Sequence, residues 1–147
     1  MIDVKAIIKA FCERLGVKSE AEADGVFSFS VDSVEFAIHD FSEDGIVVLM
    51  GELGSVPMGN IDGLYRLMLE AQHTLSETGG STFSIDSQRD LFMLSRTMAA
   101  ATLDEDILFS EVERFVTHIE ICTNIIRNYE GQKETHEPSL DVYGIKV

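Results

Sequence analysis

The chain has 147 residues and a mass of 16.3 kDa, enough for one domain that buries about two thirds of the surface its unfolded form exposes. Hydrophobic residues make up 45% and charged residues 25%, with no tryptophan and two prolines, which is a globular rather than a disordered mixture. Eleven basic against 26 acidic residues leave a net charge of −15, which repels phosphate backbones and anionic lipid head groups and argues against nucleic acid or a membrane surface as partner.

The N-terminal stretch MIDVKAIIKAFCERLG places Asp3, Lys5, Lys9, Glu13 and Arg14 among its apolar residues, so it lacks the uninterrupted run of a signal peptide or membrane span. A cytoplasmic location is expected. Val4, Ile7, Ile8, Phe11, Cys12 and Leu15 recur there at spacings of three and four, and Gly16 is placed to stop the helix they define. The polar stretch VKSEAEAD follows. Period-two alternation then predicts two strands: Phe27, Phe29 and Val31 share a face, as do Val34, Phe36 and Ile38, with a tight turn at Asp32-Ser33. SEDG reads as a turn, and IVVLM after it is apolar on both faces, a strand that is central or covered twice. GELGSVPMGN, with three glycines and a proline, reads as a loop ending in Asn60 as a helix N-cap.

The second helix is expected from Ile61 to about Leu75. Its apolar residues span an arc of roughly 200°, wider than the stripe of about 100° that a one-sided surface helix needs. Two arrangements fit that width, a helix sandwiched inside the domain or one that packs a second copy of the chain. Gly79-Gly80 ends it, and STFSID and DLFMLSR predict two more strands around SQR. Thr102 with Glu105 forms a capping-box pattern at the start of a long third helix, whose apolar stripe runs from Leu108 to Tyr129. The order is helix, three strands, helix, two strands, helix: an α+β architecture with an antiparallel twisted sheet (α-βββ-α-ββ-α) over residues 1–129, followed by a polar tail over 130–147 expected to be flexible.

No reaction chemistry is legible. His39 and Asp40 are adjacent on an alternating strand and face apart, so they are not a dyad. His73, His118 and His136 are scattered, with His73 and His118 in solvated settings, and no HExxH or CxxC spacing supports a metal site. DFSEDG matches the first half of a calcium loop, but Gly51 stands where the bidentate glutamate belongs, so a turn is the better reading. No phosphate loop and no GxSxG elbow is present. Cys12 and Cys122 read as buried reduced thiols. No catalytic residue and no cofactor is expected. What remains is more apolar strand surface than two helices need to cover, which in a soluble acidic chain points to a surface that accepts an extended peptide.

With those features in place, the chain resembles the class I type III secretion chaperones, the Tir-chaperone or CesT-like family. The resemblance lies in FCERLGV, FSFSVDSVEFAIHDFSEDGIVVLMGELGSVP, LYRLMLEAQ, TGGSTFSID and LDEDILFSEVERFVTHIE, in that order over residues 1 to about 128. It implies a cytoplasmic homodimer, connected with virulence, that binds the unfolded N-terminal segment of one or more secreted effectors and keeps them soluble and export-competent without ATP, in contact with the secretion apparatus. Carried over by position, the effector-binding residues are Ile7, Phe11, Leu15, Phe36, Ile38, Ile46 and Val48, and the dimer interface is Leu64, Leu67, Met68 and Ala71. The glycine-free turn DSQRD departs from the family pattern. The competing class is a small-molecule-binding protein or enzyme with a pocket between the sheet and the first helix.

Overall fold

The computed structural model describes residues 2–18, 20–75 and 77–135, with 20–23 and 130–135 described by their backbone alone. Helix α1 (Val4–Leu15) opens on Asp3, whose carboxylate accepts the Ala6 amide at 3.1 Å, and closes on Gly16 in the left-handed conformation, φ 67°. Val4, Ile8, Phe11 and Cys12 are its buried face. Six strands follow around two further helices: β1 (Glu20–Ala23), β2 (Val26–Val31), β3 (Val34–Phe41), β4 (Ile46–Ser55), α2 (Asp62–His73), β5 (Thr82–Asp86), β6 (Leu91–Ala99) and α3 (Glu105–Thr135). The strands form one antiparallel sheet in the order β1-β2-β3-β4-β6-β5.

Turn chemistry sets the register. Asp32 and Ser33 both take positive φ, 49° and 69°, as a two-residue hairpin between right-twisted strands requires. Between β3 and β4 the Asp40 carboxylate accepts the Ser42 amide at 2.9 Å, and Gly45 turns the chain at φ 80°, so the calcium-like stretch is a capped turn. In DSQRD the Asp86 carboxylate accepts the Gln88 and Arg89 amides, and Asp90 supplies the positive φ that glycine would otherwise give.

The expected α+β layout stands, with some shifts. β1 is an additional strand: EAEA carries no apolar signal, and its pairing to β2 is a main-chain property of a polar sheet edge. β4 continues through the glycines expected to open a loop, ending at Ser55. Helix α2 is shorter than expected and starts after Ile61, although the Asn60 side chain does accept the Asp62 amide at 3.2 Å. Asp104, not Thr102, caps α3, accepting the Ile107 amide at 2.8 Å; Thr102 lies in the preceding 3-10 turn. Helix α3 also runs past residue 129 to Thr135, and the rest of the expected tail, 136–147, lies outside the described residues.

All three helices lie on one side of the sheet. Phe11 of α1 sets its ring edge-on to Phe29 at 5.8 Å, and Phe29 stacks on Phe36 at 5.2 Å. Helix α3 crosses the central strand so closely that a Cβ on Gly51 would overlap Ile119. Tyr65 of α2 meets Phe92 of β6 edge-on at 6.2 Å, and a Cβ on Gly63 of the same helix would touch the Tyr129 hydroxyl of α3 at 3.0 Å.

Candidate functional site

The two faces of the sheet have different fates. Phe29, Val34, Phe36, Ile38, Val47, Leu49, Leu53, Phe92, Leu94 and Met98 point toward the helices and are buried. Within that layer Phe11 and Ile38 are fully covered and Phe36 is 4% exposed. The space between sheet and first helix is thus filled by packed rings and aliphatic side chains, which leaves no seat there for the small molecule that the competing reading needs.

On the opposite face the register builds rows of side chains that, among the described residues, no helix covers. Phe41 lies opposite Ile46. Next come Val26, His39, Val48 and Thr97, then Ser28, Ala37, Met50 and Ser95. Val26, Ala37, Ile46, Val48 and Met50 are half-buried, and Phe41 is exposed. A sheet with one solvated face normally alternates apolar with polar. Here the central strand is apolar on both sides, and only one side is packed. The open face holds a groove of about 650 Å³ whose floor includes Val26, Ala37, His39, Met50 and Met93, with Glu35, Glu52, Asp86 and Arg89 also lining it.

Electrostatics divide this groove. His39 stacks on Phe41 with ring centres 5.8 Å apart, and its partial burial lowers its pKa below the usual histidine value by disfavouring the charged ring. Arg89 pairs with Asp86 at 2.8 Å and with Glu52 at 2.5 Å. The hydrogen bond from Arg89 holds the Asp86 carboxyl below the ordinary carboxylate range. Glu35 accepts a hydrogen bond from the Ser30 hydroxyl at 2.9 Å, and among the described residues no cation pairs with it.

The residues expected to bind an effector are therefore spread over three environments. Ile46 and Val48 stand on the open face; Ile7 and Leu15 are partly buried against the core; Phe11, Phe36 and Ile38 are inside it. Of the open-face partners, Phe41, Met50 and Met93 belong to the surplus apolar strand surface of the sequence without being assigned to the binding set, while Val26 and Ala37 are missed there, because Glu35, Ala37 and His39 look like a polar face when only one strand is considered. The available signal was the two-faced run IVVLM.

Helix α2 shows why its apolar arc is wide. Leu64, fully buried, and Met68, 4% exposed, enter the core, so these two belong to the folded chain itself. Leu67 and Ala71 line a groove of about 360 Å³ with Ile125 and Tyr129 of α3. On the other flank Tyr65 and Leu69 are exposed, as is Ile85, the cross-strand partner of Phe92 under the Tyr65 ring.

Cys12 and Cys122 are buried free thiols, and burial pushes the Cys122 pKa up to about 12, with the Glu77 charge adding to it. His118 is half-buried rather than solvated, its Nδ1–H donating to the Glu77 carbonyl at 2.8 Å beside Gly79. His73 is exposed on α2, and His136 lies outside the described residues. Among the described residues no group of three or more histidine, cysteine or acidic side chains is placed to hold a metal, and no helix is long and apolar enough to cross a membrane.

Three helices cover one face of an antiparallel sheet, and among the described residues the other face keeps apolar side chains that no helix covers. The chain is 28% identical to a Chlamydia pneumoniae protein over 124 residues, a match that covers 82% of this chain and 88% of that protein. In shape it is similar to a chain of the ExsC–ExsE complex, with a TM-score of 0.70 and 16% identity over 82% of this chain and 91% of that one. It is also similar to a chain of the heterodimeric ExoU–SpcU complex from the type III secretion system of Pseudomonas aeruginosa, with a TM-score of 0.62 and 17% identity over 80% and 96%. At those identities the likeness shows the fold. The family follows from sequence: the model of the Tir chaperone protein (CesT) family matches residues 6–122, and the chain belongs to that family. By that membership it is a chaperone rather than an enzyme.

Proposed function

We propose that this protein is a cytoplasmic, homodimeric chaperone that holds the extended N-terminal segment of one or more secreted effectors and keeps it soluble and export-competent without ATP. The observation that carries the reading is the central strand β4, apolar on both faces but packed by helices on one. Val48 and Met50, with Val26 and Ala37 beside them, offer a half-buried apolar floor to a client. Burial of apolar side chains along such a surface offsets the entropy of ordering an unfolded segment, and no nucleotide-driven step is needed to form it.

The outer flank of α2 serves a different purpose in this reading. Leu69 at 65% exposed, Ile85 at 46% and Tyr65 at 37% form an apolar patch continuous with the sheet edge, and Leu67 at 39% adds to it on the α3 side. A second copy of the chain covers that patch in the dimer, so Leu67 and Ala71 keep their expected interface role while Tyr65, Leu69 and Ile85 join them. The similarity in shape to a chain of the HopA1–SchA chaperone–effector complex supports an effector as the partner.

Co-expression with candidate secreted proteins, followed by light scattering and limited proteolysis, tests the proposal. The expected result is a particle of twice 16.3 kDa plus a protease-sensitive client segment. Leu69→Glu should give a monomer, and Val48→Asp should keep the dimer but release the client. A chain that is monomeric and retains no polypeptide overturns both parts.

A further inference from the structure

We infer that the segment seated in the open-face groove is basic as well as apolar: a lysine or arginine beside apolar side chains, received between Glu35 and Glu52. The inference rests on the chaperone reading and adds the chemistry of its client. Three carboxylates and one guanidinium line the groove, and Arg89 is already engaged by Asp86 and Glu52. The register adds a sharper fact. β3 and β4 pair from Phe41↔Ile46 to Phe36↔Gly51, and Glu35 and Glu52 are the residues that follow that last pair on the two strands, both lining the groove. Like charges brought together across neighbouring strands destabilise their own sheet. Arg89 offsets the charge of Glu52, but among the described residues no cation pairs with Glu35, so the groove keeps an excess of negative charge.

A cation delivered by a client relieves it. Met50 precedes Glu52 by two residues and therefore shares its face, as Ala37 shares that of Glu35. The apolar floor and the two carboxylates are thus adjacent parts of one groove. An apolar segment bearing a lysine or arginine on the same side as its apolar residues gains the floor and the charge together. A segment with a carboxylate at that position adds a third negative charge to the pair.

Fluorescence anisotropy with three labelled peptides tests this: a serine–valine alternating peptide with one central lysine, and the same peptide with glutamine or glutamate there. The native chain should bind the lysine peptide about three- to ten-fold more tightly than the glutamine one, the scale of one or two partly exposed ion pairs. That preference should vanish in Glu35→Gln/Glu52→Gln and shrink toward unity at about 1 M salt, where the screening length falls to about 3 Å. It should persist in Glu13→Gln/Glu113→Gln, which removes the same charge from exposed helical sites. Equal binding of the lysine and glutamine peptides overturns the inference, as does a preference that survives Glu35→Gln/Glu52→Gln, or no binding of any peptide. If the chain still co-purifies with an effector in any of those cases, the chaperone reading stands without this one. If the peptides discriminate as expected but no effector is retained, the chaperone reading fails alone.

Discussion

Placing a methyl group on Gly51 tests the contact that seats α3 on the middle of the sheet and so decides which face stays open. An alanine Cβ there would overlap Ile119 Cδ1 and stand 3.0 Å from Ile119 Cγ1 and 3.3 Å from Phe115 Cε1. Ile119 and Phe115 are each 2% exposed, so neither can swing away into solvent. Overpacking of this kind costs about 1–3 kcal/mol, while replacing a strand glycine by alanine returns about 0.5–1 kcal/mol of backbone entropy. Gly51→Ala should therefore destabilise by about 0.5–2 kcal/mol, at about 2–4 °C of Tm per kcal/mol for a chain of this size. Ile119→Val removes the overlapping methyl and alone costs about 0.5–1.5 kcal/mol. Combined, the two substitutions should be less destabilising than their sum by about 1 kcal/mol. Urea unfolding followed by far-UV circular dichroism at one fixed protomer concentration reads this coupling. A Gly51→Ala chain as stable as the native one, or strict additivity in the pair, would refute the placement of α3 over β4.

Three further outcomes follow from the same geometry. Phe36→Ala should cost about 3–5 kcal/mol because the ring is core, whereas Met50→Ala, on the open face, should leave Tm nearly unchanged and weaken client retention; thermal melts and co-purification on the same preparations separate the two. Since burial depresses the His39 pKa, the unfolded chain takes up more protons at this site: its contribution to stability is present above about pH 6.5 and is lost as pH falls through that value toward the lower folded pKa. His39→Gln should flatten this part of a pH–stability profile measured between pH 7.5 and 5.5, and an unchanged slope would show that His39 is solvated. With its pKa raised to about 12, Cys122 should resist a thiol reagent at neutral pH in the folded chain and react once urea unfolds it; prompt labelling of native protein at Cys122, located by peptide mapping, would contradict the packing of α3.

The first helix, the Asp32-Ser33 hairpin, the central strand and the order of the remaining elements were legible because each depends on local chemistry. A 3.6-residue period ending in glycine, a two-residue turn and a run of β-branched residues act over a few positions. β1 was not legible, since EAEA owes its strand to the exposed edge of β2 and not to its own side chains. The glycines of β4 misled for a related reason. Gly51 sits in a strand because Ile119, 68 positions later in the chain, occupies the space a side chain would need.

The same division holds for the site. Sequence by itself determined that this acidic chain carries a surplus of apolar strand surface and a helix with too wide an apolar arc. Only the tertiary structure decided how that surplus is shared: Phe11, Phe36 and Ile38 with the core, Ile46, Val48 and Met50 with the open face, Leu64 and Met68 inward, Leu67 and Leu69 outward. Alternation along a strand tells which residues share a face, but the helices that choose one face to cover come from the two ends of the chain. Where α1 and α3 come to rest is therefore what turns an apolar strand into a surface for a client.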